Sequence, residues 1–97
     1  MDRDGVRRTI YDWRMISDQW WAFDEYGYLS DGWIFDPAYQ GWFYIDEMQG
    51  MLSGWQLIEG QWYYLNPVSD GTKGIMFVNC MTPDGYWVDA DGHWITE

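Results

Sequence analysis

The sequence predicts an all-β chain, a solenoid of stacked β-hairpins, and three observations carry that expectation. The first is a repeat. Trp13, Trp33, Trp55 and Phe77 stand 20, 22 and 22 residues apart, and the segments between them agree: Gly27-Tyr28-Leu29, Gly50-Met51-Leu52, Gly74-Ile75-Met76. A period of this length outranks any local reading of secondary structure. The second is the unit itself. Gly54-Trp55-Gln56-Leu57-Ile58 and Gln61-Trp62-Tyr63-Tyr64-Leu65 are short, aromatic and rich in strand formers, with Glu59-Gly60 between them as turn chemistry. The third is composition. Nine tryptophans, eight tyrosines and four phenylalanines suit a stack in which flat rings fill the gaps between neighbouring hairpins.

About four repeats of 20–24 residues follow, at roughly 11–31, 32–53, 54–78 and 79–97, after an irregular lead over 1–10. In the first, Trp13 precedes Trp20-Trp21-Ala22-Phe23-Asp24, and Ser17-Asp18 is the turn. In the second, Gly32-Trp33 is followed by Gly41-Trp42-Phe43-Tyr44-Ile45-Asp46. The loop Asp36-Pro37-Ala38-Tyr39-Gln40 lies between, since proline is awkward inside a paired strand. The third is the most regular. Beyond Leu65, Asn66-Pro67-Val68-Ser69-Asp70-Gly71-Thr72-Lys73-Gly74 is rich in turn formers and should form a surface loop. Ile75 to Val78 reads as a resumed strand, and Tyr86-Trp87-Val88 and His93-Trp94-Ile95 as two more. Thr82-Pro83-Asp84-Gly85 and Asp89-Ala90-Asp91-Gly92 are turns. No segment has helical periodicity, so no helix longer than one turn is expected beyond residue 10.

Sixteen acidic residues against five basic ones give a formal charge of −11. Nucleic acid is thereby excluded as a natural partner, because binding it needs clustered cations. No apolar run is long enough to span a bilayer, and the N-terminus lacks the basic-then-apolar pattern of an export signal. Cys80 is the single cysteine, so no disulfide within the chain is possible.

The order Gly-Trp, then Trp-Tyr-Tyr-Leu-Asn, then Gly-x-Met resembles the choline-binding, or cell-wall-binding, repeat family of Gram-positive surface proteins, with relatives among glucan-binding proteins. The resemblance runs over residues 11–97 and is closest in the third repeat. It implies an extracellular, cell-surface attachment domain within a larger protein. It also implies aromatic cages for choline headgroups between successive hairpins. Carried over residue by residue, one cage is Trp33 and Trp42 closed by Tyr64, a second is Trp55 and Trp62 closed by Trp87, and a third is Trp13 and Trp20 closed by Tyr44. Strand parity with Trp62 is the ground for choosing Tyr64 over Tyr63. Departures from the pattern are Ala22 in place of an aromatic, Phe77 in place of the fourth opening Trp, and Gly85 where a Trp would stand. Trp33 to Trp42 spans nine residues and Trp55 to Trp62 seven, so these two cages differ in shape.

A quaternary ammonium donates no hydrogen bond but is drawn to ring faces, at about 0.5–2 kcal/mol per contact. Weak individual sites suffice when several meet a polymer bearing many headgroups, such as a choline-bearing teichoic acid. Competing readings are a glucan-binding module, whose rings stack on sugars, and a repeat spacer whose rings are core alone. Catalysis is not expected: no carboxylate pair is singled out, and hairpin stacks offer no deep pocket to raise a carboxyl pKa. No cofactor is implied. Asp89-Ala90-Asp91-Gly92 opens like a calcium loop but lacks the later glutamate, and His93 has no second histidine or cysteine pair beside it. Exposed aromatic half-cages at the ends suggest an end-to-end homodimer.

Overall fold

The computed structural model describes residues 11–95, and over them the chain is all-β, with ten short strands and no helix. The irregular lead expected over 1–10 lies outside the described residues. The chain divides into two compact units, Met1–Met51 and Leu52–Glu97.

In the first unit β1 (Asp12–Ile16) pairs antiparallel with β2 (Gln19–Phe23). The turn is Ser17-Asp18, both left-handed at φ 54° and 65°, as a two-residue turn needs if it is to match the twist of its strands. β3 (Gly32–Asp36), β4 (Gly41–Asp46) and β5 (Gly50–Met51) form a three-stranded antiparallel sheet in that order. Its register, Trp33 opposite Tyr44 and Ile34 opposite Phe43, sorts the residues into two faces. Trp33, Phe35, Trp42 and Tyr44 share one. Ile34, Asp36, Phe43 and Ile45 share the other, which is buried.

That buried face packs on the first hairpin. Trp13 stands edge-on to Phe43 at 5.1 Å between ring centroids, and Ala22, opposite Trp13 in register, is fully buried. An aromatic at Ala22 would have no room. β5 closes against β2, and Gly50 marks the closest approach. A Cβ there would meet the Trp20 carbonyl oxygen at 3.1 Å and the Trp21 ring at 3.2 Å, and its φ is +84°. Only glycine satisfies both conditions.

In the second unit β6 (Gly54–Ile58) and β7 (Gln61–Leu65) form the hairpin anticipated from the sequence, with Glu59-Gly60 left-handed at φ 51° and 86°. Trp55, Leu57, Trp62 and Tyr64 share one face by register. β8 (Cys80–Met81), β9 (Trp87–Val88) and β10 (Trp94–Ile95) make a small antiparallel sheet in the order β10-β9-β8. The core here holds Ile58, Leu65 and Val88.

The resumed strand expected at Ile75 to Val78 is shorter than the sequence suggests. Only Met76 bridges to Leu65, with hydrogen bonds from Asn66 N to the Ile75 carbonyl and from Phe77 N to the Tyr64 carbonyl. This stretch closes the third hairpin rather than opening a fourth, because Asn79, left-handed at φ 51°, turns the chain away before β8. It corresponds to β5 on β4 and to the Phe23–Leu29 bridge after the first hairpin. The Gly-x-Met-type segments of the repeat are therefore short third strands.

The links use one device repeatedly. Asp24 Oδ1 accepts hydrogen bonds from the amides of Tyr26 and Tyr28, and Asp89 Oδ1 does the same for Asp91 and His93. Each carboxylate thus replaces a missing ladder partner at a tight turn. In the long surface loop Asn66, only 6 % exposed, takes that place. Its amide nitrogen donates to Asp70 and to both the carbonyl and hydroxyl of Thr72, while its Oδ1 accepts from Val68 N.

Candidate ligand-binding site

The aromatic face of the third hairpin faces an open cavity of about 390 Å³, within the size range of small-molecule sites, roughly 300–1,000 Å³. Trp55, Trp62, Asp84, Tyr86 and Trp94 line it. β6 and β7 supply the two tryptophans, diagonal neighbours on one face. The Thr82–Gly85 turn supplies Asp84, the residue just before β9 supplies Tyr86, and β10 supplies Trp94. Trp55 is edge-on to Tyr64 at 5.0 Å and to Tyr86 at 5.8 Å, and Tyr86 is edge-on to Trp94 at 6.0 Å. These perpendicular contacts fix the rings while leaving faces of Trp62, Tyr86 and Trp94 exposed.

Trp55 Nε1 donates to Asp84 Oδ2 at 2.9 Å, and the Thr82 hydroxyl donates to Asp84 Oδ1. Thr82 Oγ1 in turn accepts from Tyr86 N. The turn therefore fixes a carboxylate, an indole and the start of the Tyr86 strand together. The Thr82 bond first, and the Trp55 bond second, hold the Asp84 carboxyl below its ordinary value of 3.8, so it is charged at neutral pH. Burial, and then the Asp84 charge, push the Tyr64 hydroxyl up.

Of the second expected cage, Trp55 and Trp62 line this cavity. Trp87 lines no part of the cavity: it pairs with Met81 and Ile95, on the opposite face of β9 from Val88 and Trp94. Strand alternation gives the inward place to its neighbour Tyr86, and Trp94 joins from β10. Asp84, Tyr86 and Trp94 were not singled out as site residues in the sequence. The parity of Val88, an apolar residue two after Tyr86, was the available signal.

In the first unit Trp13 and Trp20 do share a face of the β1–β2 hairpin. Tyr44 does not close on them: it is edge-on to Trp33 at 5.1 Å, on the other face of β4. The ring meeting Trp13 is Phe43. Trp13 Nε1 donates to Asp36 Oδ2 at 2.7 Å, and Asp36, only 4 % exposed, also accepts from Ala38 N. Both units thus bind the indole of an opening tryptophan to a carboxylate of the following repeat. Trp33 and Trp42 lie on one face of the β3–β4 pair, with Trp42 edge-on to Phe35 at 5.3 Å. Tyr64 lies in the second unit beside Trp55.

His93 Nε2 lies 3.1 Å from the Tyr63 hydroxyl, and the rings meet at 5.2 Å. Possible metal-ligand atoms of Asp89, Asp91 and His93 come within 4.8 Å of one another. That grouping follows from the turn, whose amides Asp89 Oδ1 already caps.

Asp70 is likewise held below 3.8, chiefly by the hydroxyl and amide of Thr72. A carboxyl lowered by folding contributes stability that is full above its unfolded value and is lost as pH falls through the folded one. The melting temperature of the wild type should therefore exceed that of Asp70→Asn by a constant amount from neutrality to about pH 5, and the gap should narrow once the pH falls below the ordinary carboxyl range and through the lowered folded value. A gap that persists at the acid end would show that the charge is not the source.

Hairpins with aromatic faces, short third strands and a ring-lined cavity between one hairpin and the next sheet define a repeat-type binding module. The choline-binding repeat profile matches residues 51–94. The chain is similar to a choline binding domain of Streptococcus pneumoniae at 28 % identity, covering 94 % of this chain and 100 % of that one, with a TM-score of 0.73. It is similar to choline binding protein F of the same organism at 30 % identity, with a TM-score of 0.73, covering 87 % of this chain and 26 % of that protein. It is also similar to alternansucrase, seen in complex with isomaltononaose, at 25 % identity and a TM-score of 0.64, covering 89 % of this chain and 7 % of that enzyme. The chain thus spans about a quarter of choline binding protein F. The sequence matches none of the curated proteins.

Proposed function

We propose that the chain is a non-catalytic attachment module of a bacterial cell surface, and that it holds choline-type headgroups of wall polymers in the cavity of its second unit. One observation carries the reading: Trp55, Trp62, Tyr86 and Trp94 converge with the Asp84 carboxylate on one open cavity. Rings supply quadrupolar attraction to a quaternary ammonium, and the carboxylate adds attraction of the same sign. A spacer has no need of exposed ring faces beside a charge. The cavity is open, as a headgroup still tethered to a polymer requires. The formal charge of −11 repels the phosphates of a teichoic acid, so affinity has to come from the cation, and several weak sites along a longer protein supply avidity.

Choline at millimolar concentration is expected to quench tryptophan fluorescence and to raise the melting temperature, because a ligand bound only to the folded state stabilises it. A second reading is favoured by the likeness to alternansucrase: rings of this kind also stack on sugars. If isomalto-oligosaccharide shifts the melt and choline does not, the glucan reading replaces the choline one.

A further inference from the structure

We propose that Asp84 determines the charge specificity of this cavity, acting as the counter-ion that makes it prefer a cationic headgroup to an uncharged ligand of the same shape; the proposal rests on the choline reading above. Asp84 lines the cavity with its carboxylate fixed, not mobile: Oδ2 accepts the Trp55 indole N–H at 2.9 Å and Oδ1 accepts the Thr82 hydroxyl. Neither partner is a cation, so its negative charge is not neutralised by these contacts. Its two hydrogen bonds fix the direction of the charge and leave its field to act on whatever occupies the cavity.

The first unit provides the contrast. Asp36 makes the same bond to an opening tryptophan, Trp13, but it is buried at the foot of a packed ring cluster and is further capped by the Ala38 amide. There the carboxylate serves the fold. At Asp84 the same device is placed at the wall of an open cavity. The indole contact, present in both, accounts for the conserved geometry; the exposure, present only at Asp84, is what a role in recognition requires. A neutral acceptor would orient Trp55 equally well, so the charge itself is the feature that the fold does not need.

Rings alone already favour a cation, so the effect of Asp84 has to be read as a change in preference. Choline and its uncharged isostere, in which a carbon replaces the quaternary nitrogen, present the same shape to the rings. Asp84→Asn keeps both hydrogen bonds: its Oδ1 accepts from Trp55, and its amide donates to a rotated Thr82 hydroxyl. It removes only the charge. Binding of both ligands to the full chain is measured by tryptophan fluorescence and by thermal shift, at low and at high salt.

In Asp84→Asn, choline should weaken by roughly two- to fivefold at low salt, the range expected of one solvent-screened charge contact. The isostere should be unchanged, and the choline difference should shrink as salt rises. Asp84→Ala, which also frees Trp55, should weaken both ligands. Equal choline affinity in wild type and Asp84→Asn overturns the proposal, and so does equal loss of choline and isostere in Asp84→Asn, which would make Asp84 a positioning residue only. A wild-type chain that binds neither ligand overturns the choline reading itself, and this proposal with it; that outcome is distinguished by its appearance before any substitution.

Discussion

Replacing Trp55 by alanine is expected to weaken choline binding at least tenfold, and Trp87→Ala to leave it within about twofold. Trp55 is the ring on which the site turns. It is one wall of the cavity, it braces Tyr86 at 5.8 Å, and its indole holds Asp84. Its loss therefore removes one ring contact and loosens two other groups, and the sum of about 1.4 kcal/mol or more exceeds what one ring contributes at an exposed site. Trp87 is equally aromatic and half-exposed, yet it lies on the other face of β9. Trp55 belongs to both versions of the site, so Trp87→Ala is the substitution that separates the cavity seen in the structure from the cage the family resemblance implied. Fluorescence titration of both variants, with melts recorded without ligand to confirm folding, gives the answer. A Trp87→Ala chain that loses choline while Trp55→Ala retains it would reverse the assignment.

Trp13→Phe is expected to destabilise the first unit by about 1.5–3 kcal/mol, the loss typical of a hydrogen bond to a charged group. Phenylalanine keeps an aromatic ring against Phe43 but cannot donate to Asp36. Asp36 is 4 % exposed, so water cannot replace the indole, and a buried carboxylate oxygen is left without its donor. The matching change at the second unit, Trp55→Phe, should cost less, because Asp84 is exposed and water takes over the vacated bond. Chemical denaturation of the two variants measures this ordering. Equal losses would mean that burial does not set the value of the indole–carboxylate contact here.

The two tryptophans also show where sequence reading reaches its limit. The hairpin spacing, the turn positions and the all-β character were legible because they rest on local chemistry. Glu59-Gly60 and Ser17-Asp18 adopt the left-handed conformations that two-residue turns demand, and alternation within each strand then assigns faces without reference to anything distant. Trp55 and Trp62 could be placed on one face for the same reason. The three segments of Gly-x-Met type were visible as repeats and the last of them as a strand, though their place as the third strand of each preceding hairpin was not. A bridge such as Leu65 to Met76 depends on how the Asn66 loop folds back, and that loop is organised by Asn66 side-chain hydrogen bonds spanning up to six residues.

What the sequence by itself determined is the set of hairpins and the face on which each ring stands. Which face of one hairpin meets which face of the next was decided only by tertiary structure. The closing residues expected from the resemblance were Tyr44 and Trp87, while the rings in contact are their chain neighbours: Phe43 meets Trp13, and Tyr86 meets Trp55. One position matters that much because a shift of one residue moves a side chain to the opposite face. Nor could spacing reveal that Asp36 and Asp84 make the same bond in different surroundings. Each lies in a turn-forming stretch 23 or 29 residues from its tryptophan. Burial, which makes one carboxylate part of the core and leaves the other at the cavity wall, arises from packing between repeats and has no local signature in the chain.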